Sequence, residues 1–197
     1  MRRRTASILC ALLLSASALC VAVVARARTA PQATSAMAGA SSVVKARTFV
    51  SLEPIPAGKE FQVAVVVDIA PGYHMNSNKP SDAYLIATTV APQIPAGFKL
   101  LATIYPQGRD KKFAFSPDKP LNVYTGTVIM RLRIAARSNV RLGIATIPIV
   151  LRYQACNDTT CLPPVKLPVS VQLKVAAAGT KTRADHPEIF STAFPQS

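Results

Sequence analysis

The chain has 197 residues, with no tryptophan, 16 prolines and only 8 glycines, enough for one compact domain with appendages. Its 23 basic and 9 acidic residues give a formal charge of +14. The charges are scattered through stretches such as "RLRIAARSNVRLG" and "GRDKKF", with no arginine-rich arm or aromatic ladder, which argues against a nucleic-acid binder.

The first segment has the features of an export signal. "MRRRTAS" is positively charged, residues 8–25 ("ILCALLLSASALCVAVVA") are apolar, and "ARA" at 25–27 offers a small-x-small cleavage site. A cut after Ala27 removes Cys10, Cys20 and four arginines, leaving 19 basic against 9 acidic residues, or +10. At 18 residues the run is also just long enough to span a bilayer. The expectation is therefore a signal peptide over residues 1–27 or, alternatively, an uncleaved anchor. In both cases Arg2–Arg4 stay in the cytoplasm and the rest is exported, as in a bacterial periplasm. A lipid anchor through Cys20 is disfavoured by the bulky Leu19 before it. No later segment is apolar and long enough to cross a membrane, so the body is expected to be soluble. Its solvated charge would favour acidic partners or anionic membrane surfaces.

Residues 28–42 ("RTAPQATSAMAGASS") are small, polar and without period, which predicts a flexible leader. The folded body is expected over 43–175. "RTFVSL" (47–52) is a possible first strand, and "EFQVAVVVDI" (60–69) alternates and is rich in β-branched residues. "YLIATTV" (84–90) and "FKLLATIY" (98–105) are further runs. "VYTGTVIMRLRIA" (123–135) alternates from Thr127 on. "GIATIPIVLRYQAC" and "KLPVSVQLKV" complete the set. Short strands between Pro/Gly turns, with no amphipathic helix, predict an all-β fold, an antiparallel β-sandwich. Pro148 and Pro168 should mark edges or bulges, because proline cannot donate to a ladder. Residues 176–197 show no sustained pattern and read as a disordered C-terminal tail.

Two cysteines remain after processing, in "LRYQACNDTTCLPPVKLPV" (151–169). Cys156 ends one strand-like run, Cys161 precedes another, and "NDTT" between them consists of turn formers. A hairpin would place facing Cα atoms roughly 4.5–5.5 Å apart, close enough for a disulfide, and export makes the bond chemically sensible. On spacing alone a structural bridge is favoured. Yet a bridge closing so short a loop restricts little unfolded-chain entropy, whereas accessible bridges are the labile ones. A metal site lacks ligands: two cysteines plus His74 and His186, the latter in the tail, do not make a zinc set. No metal or cofactor is expected. "NDT" at 157–159 is also a glycosylation sequon, read as coincidental because a sugar there would block exchange.

"YQACNDTTCLPP" (153–164) resembles the cysteine motif of the N-terminal periplasmic domain of the thiol:disulfide interchange protein DsbD. "GYHMNSNKPSDAYLIATTV" (72–90) is similar to the strand and loop beside that family's disulfide, and "YPQG…FAF…PLNVYTG" (105–126) to the segment carrying a flexible cap over it. The resemblance covers about 43–175. It implies an immunoglobulin-like sandwich whose Cys156 and Cys161 form a redox-active pair, Cys161 forming the mixed disulfide with partners. It also implies a thioredoxin-like domain of a membrane thiol reductase as electron donor. The implied acceptors are a periplasmic disulfide isomerase or a cytochrome c maturation thiol protein. Phe113 and Phe115 are both candidates for the shielding aromatic of the cap. The cysteine spacing is one residue shorter than in the best-known members, His74 and Asn76 stand where those carry tyrosines, and the cap is basic where theirs is acidic. This chain also lacks their transmembrane and thioredoxin-like portions, so the expectation is a free-standing relay or one half of a split system.

Around the pair, His74 either lowers a thiol pKa as a nearby cation or is a surface loop residue. Asp158 reads as a turn former, Tyr73 and Tyr153 as core or rim packing, and Phe113 and Phe115 as cap-loop residues. The alternative to exchange is a non-catalytic secreted immunoglobulin-like binding domain that uses Cys156–Cys161 as a hairpin staple.

Overall fold

The computed structural model describes residues 43–191; the expected signal segment and leader lie outside the described residues, as do residues 192–197. Alternation dictates the centre of the fold. β4 (Glu60–Ile69) points Phe61, Val63, Val65, Val67 and Ile69 to one side, and all five are buried. β10 (Thr127–Ala136) answers with Met130, Leu132 and Ile134, and the register sets Leu132 against Val63 and Met130 against Val65. β1 (Val44–Val50) and β7 (Phe98–Ile104) complete an antiparallel sheet of order β1-β4-β10-β7.

The facing sheet is built on β11 (Gly143–Tyr153) and β13 (Val165–Ala176), antiparallel from Gly143↔Val175 to Tyr153↔Val165. β6 (Thr89–Pro92) flanks β11, and β3 (Ile55–Pro56) pairs in parallel with the end of β13. Ile147, Ile149 and Leu151 of β11 and Val171, Leu173 and Val175 of β13 join the side chains of β4 and β10 in one core cluster. Fully burying each such side chain contributes about 2 kcal/mol. The result is an immunoglobulin-like β-sandwich. The two prolines sit where a missing N–H is tolerated. Pro168 lies on the outer edge of β13, and Pro148 precedes the stretch of β11 paired with β6, its carbonyl accepting from the Gln93 N–H at 2.8 Å.

A third sheet carries the cysteine turn. Its order is β12 (Ala155–Cys156), β5 (His74–Asn76), β9 (Ser116–Tyr124) and β8 (Arg109–Phe113). β8 and β9 form a hairpin rather than the expected cap loop. Lysine and proline are poor strand formers, but the ribbon's outer residues face solvent, where their charges stay hydrated and a missing proline donor leaves nothing unpaired. Under the ribbon lies a small separate cluster of Phe113, Leu121 and Val123, with Leu85 packed against it. Gly108 enters this hairpin against Asn122, whose side-chain oxygen occupies the space a Cβ would need.

Two further readings need correction. The run at 84–90 becomes a strand only from Thr89, because Leu85 turns to the cap cluster while Tyr84 stands 76% exposed. The C-terminal segment is not wholly a tail. β14 (Arg183–Ala184) pairs with β2 (Leu52–Glu53), and the single turn α1 (Pro187–Phe190) packs against β4. It covers the outer face on which Ala64, Val66 and Arg131 are buried; Arg131 donates to the Ile189 carbonyl and lies over the Phe190 ring at 5.9 Å.

Candidate functional site

Cys156 and Cys161 are joined by a disulfide with Cα atoms 4.0 Å apart, closer than a generic facing pair. The reason is local. The pair sits between the Leu162 N–H to Ala155 carbonyl bond (2.8 Å) and the Asn157 N–H to Thr160 carbonyl bond (2.9 Å), which makes it a non-hydrogen-bonded pair, the narrow kind in an antiparallel ladder. Asn157 closes the turn. Its Oδ1 accepts from the Thr160 N–H at 2.7 Å, the Thr159 N–H at 3.0 Å and the Thr159 hydroxyl at 3.1 Å. The strands do not run straight into this turn. After Tyr153 the chain leaves β11, and Ala155–Cys156 joins the third sheet instead.

Exposure divides the two sulfurs' residues. Cys156 is 1% exposed, whereas Cys161 is solvent-exposed. Cys156 faces His74 across the β12–β5 ladder. His74 is 1% exposed, and the Phe113 ring stacks on it with centroids 4.1 Å apart and planes 25° apart. Phe115 stacks on the outer side of Phe113 at 5.3 Å and is 48% exposed. Of the two cap aromatics, Phe113 is therefore the inner ring and Phe115 the outer. Lys111 Nζ lies 4.9 Å from the Phe113 centroid and pairs with Asp158 at 3.6 Å, tying the cap hairpin to the cysteine turn. Both charged groups are exposed, so the pair is a weak clasp of at most about 1 kcal/mol.

The electrostatics change the reading of His74. Burial, assisted by the Lys111 cation and opposed by Asp158, pushes its pKa down to about 4. At neutral pH it is an uncharged imidazole in the interior, neither a cation beside the thiols nor a surface residue. Its Nε2 is buried without a hydrogen-bond partner.

The remaining expected site residues have other partners. Tyr153 is buried in the main core, where burial raises its phenol to about 12. Asn76 donates to the Ile86 carbonyl at 3.2 Å and accepts from Thr88 through its own carbonyl at 2.6 Å, so it anchors the 77–88 loop rather than the cysteine turn. Asp158 reaches the site through Lys111. Sequence reasoning missed the Lys111–Asp158 clasp and the triple-acceptor role of Asn157; "NDTT" carried a signal for the latter only. Asn157→Ala should lower stability by about 1 kcal/mol and speed amide exchange at Thr159 and Thr160, measured by hydrogen exchange on the oxidised protein. Unchanged exchange there would mean that the backbone alone holds the turn. Among the described residues no cluster of three or more His, Cys, Asp or Glu side chains is arranged to hold a metal.

The family described as "Thiol:disulfide interchange protein DsbD, N-terminal" matches residues 40–173. No curated protein matches the chain. Among solved structures, the chain is similar to the Neisseria meningitidis DsbD N-terminal domain in the reduced form, with 22% identity, 69% of this chain and 89% of that chain covered, and a TM-score of 0.40. It is also similar to the N-terminal periplasmic domain of ScsB from Proteus mirabilis, with 13% identity, 75% of this chain and 51% of that chain covered, and a TM-score of 0.48. A third is the complex between the DsbD N-terminal and the PilB N-terminal domains from Neisseria meningitidis, with 19% identity, 62% and 80% covered, and a TM-score of 0.37.

Proposed function

Because this chain belongs to the DsbD N-terminal domain family, we propose that it is an exported thiol:disulfide exchange module that relays reducing equivalents through Cys156 and Cys161. The observation that carries the reading is the asymmetry of the bonded pair. One cysteine is exposed, and the other is buried across the ladder from His74, on which Phe113 is stacked. In the dithiol state, the Cys161 thiolate attacks a partner disulfide, breaking its S–S bond and forming a mixed disulfide. Cys156 then attacks the Cys161 sulfur, re-forms the internal bond and releases the partner as a dithiol. Two electrons and two protons pass to the partner. The donor that re-reduces the pair is a thioredoxin-like domain of a membrane thiol reductase. The acceptors are periplasmic thiol proteins such as a disulfide isomerase or a cytochrome c maturation factor. The export signal over residues 1–27 and the periplasmic setting belong to the same proposal.

The test is a redox titration of the folded protein in dithiothreitol and glutathione buffers with thiol counting. The expected midpoint lies above roughly −300 mV, in the range of working disulfides. A bridge that resists reduction until the sandwich unfolds would instead establish the staple of a non-catalytic binding domain.

A further inference from the structure

A buried imidazole nitrogen without a partner normally costs free energy, so its persistence calls for a partner that comes and goes. His74 Nε2 is such an atom. The residue across the ladder is Cys156, and facing side chains on one side of a sheet have Cβ atoms about 4.5–5.5 Å apart. In the disulfide, the Cys156 sulfur carries no proton to donate. Reduction creates an S–H on this buried residue, opposite an imidazole on which the Phe113 ring is stacked.

From this juxtaposition we infer that His74 is the proton acceptor for Cys156, taking the thiol proton at Nε2 as Cys156 resolves the mixed disulfide. The inference rests on the exchange function proposed above and assigns the second half of that reaction. The Cys156 proton moves to Nε2 while its sulfur bonds the Cys161 sulfur. The Cys161–partner S–S bond breaks, and the partner's sulfur leaves as a thiolate. The imidazolium then returns the proton to that thiolate or to water. Direct transfer of the proton to solvent is hindered, because Cys156 and His74 are each 1% exposed. The charged groups around the imidazole are Lys111 of the cap, which disfavours the imidazolium, and Asp158 of the turn, which favours it. Phe113, stacked on the ring, is uncharged. Burial makes the imidazolium short-lived, which suits a group that must pass the proton on.

The experiment isolates the second step. The reduced protein is loaded with one equivalent of 2,2′-dithiodipyridine at about pH 3, where His74 is mostly protonated and resolution is slowed, and then jumped to pH 6.0–7.5 while release of the second pyridine-thione is followed. A built-in base makes the wild-type rate nearly flat, within about threefold over that range. In His74→Phe, which keeps a ring for Phe113 to stack on, the rate should follow the Cys156 thiolate fraction and rise about thirtyfold over the same 1.5 pH units. His74→Gln, which accepts a hydrogen bond but not a proton, should show the same steep rise. A wild-type rate that itself climbs about tenfold per pH unit overturns the inference without recourse to any variant, and so do superimposable wild-type and His74→Phe profiles. Failure to load Cys161 at all is a different outcome. It overturns the exchange function, and this inference falls with it.

Discussion

Cys156→Ala should turn the protein from a relay into a trap. Incubated with an oxidised thioredoxin-like protein, the reduced variant should accumulate a covalent complex through Cys161, resolved only by added thiol. The mirror variant, Cys161→Ala, should accumulate almost none. The contrast follows from burial: Cys161 is exposed, whereas Cys156 is 1% exposed and faces the ring of His74. An incoming protein disulfide reaches the first sulfur and not the second. In the wild type the resolving thiol is held at a Cα separation of 4.0 Å in the oxidised state, so it acts at an effective concentration far above any free thiol. Removing it should lengthen the life of the mixed disulfide by at least about 1,000-fold at millimolar external thiol. Non-reducing electrophoresis with mass spectrometry of the linked peptides reads both yield and attachment point. Equal trapping by the two variants would mean that burial does not order the reaction. An absence of complex with either would count against exchange altogether.

Much of this was legible in the sequence, and most of what was not shares a cause. Strands β4 and β10 announce themselves, because each buries one face of a sheet and alternation is the direct imprint of that. The cysteine turn was legible too, since "NDTT" is a turn by local chemistry and its Asn157 closes it. What a sequence does not carry is register between distant segments. That His74 faces Cys156 depends on β5 and β12 meeting in a third sheet, 82 positions apart along the chain, and no period encodes it. The choice between Phe113 and Phe115 depended on where the cap turns; the strand ends at Phe113, which faces inward, and Phe115 lies in the turn. The two-residue β14 and the single turn α1 are too short to show any period, yet they cover Ala64, Val66 and Arg131 on the outside of the sandwich. The cap was misread for the opposite reason. Its composition is that of a loop, but an edge ribbon tolerates lysine and proline that a central strand would not.

The burial of His74 has a second large consequence, for stability against acid. In the unfolded chain this imidazole takes up a proton near pH 6.5, whereas in the fold it does so only near pH 4. Between those values the unfolded state binds more protons than the folded one, so stability rises with pH across the window. The contribution is fully present above about pH 6.5 and is lost as the pH falls towards 4. Taken over the whole interval it is on the order of 3 kcal/mol, a sizeable share of the stability of a domain of this size. Asp68 works in a different window. The Thr127 hydroxyl and Arg47 hold its carboxyl below the usual 3.8, so its contribution is lost only in stronger acid. Chemical denaturation of the oxidised protein at about pH 7, 5.5 and 4.5 should therefore show a steep loss that His74→Phe largely abolishes. Lys111→Ala should raise the folded imidazole's pKa, so that the loss ends at a higher pH and its total shrinks, whereas Asp158→Asn should lower that pKa and widen the window. A wild-type stability that is level from pH 7 to 4.5 would show that the imidazole is charged or hydrated in the folded protein, and would remove the neutral acceptor from beneath the cap.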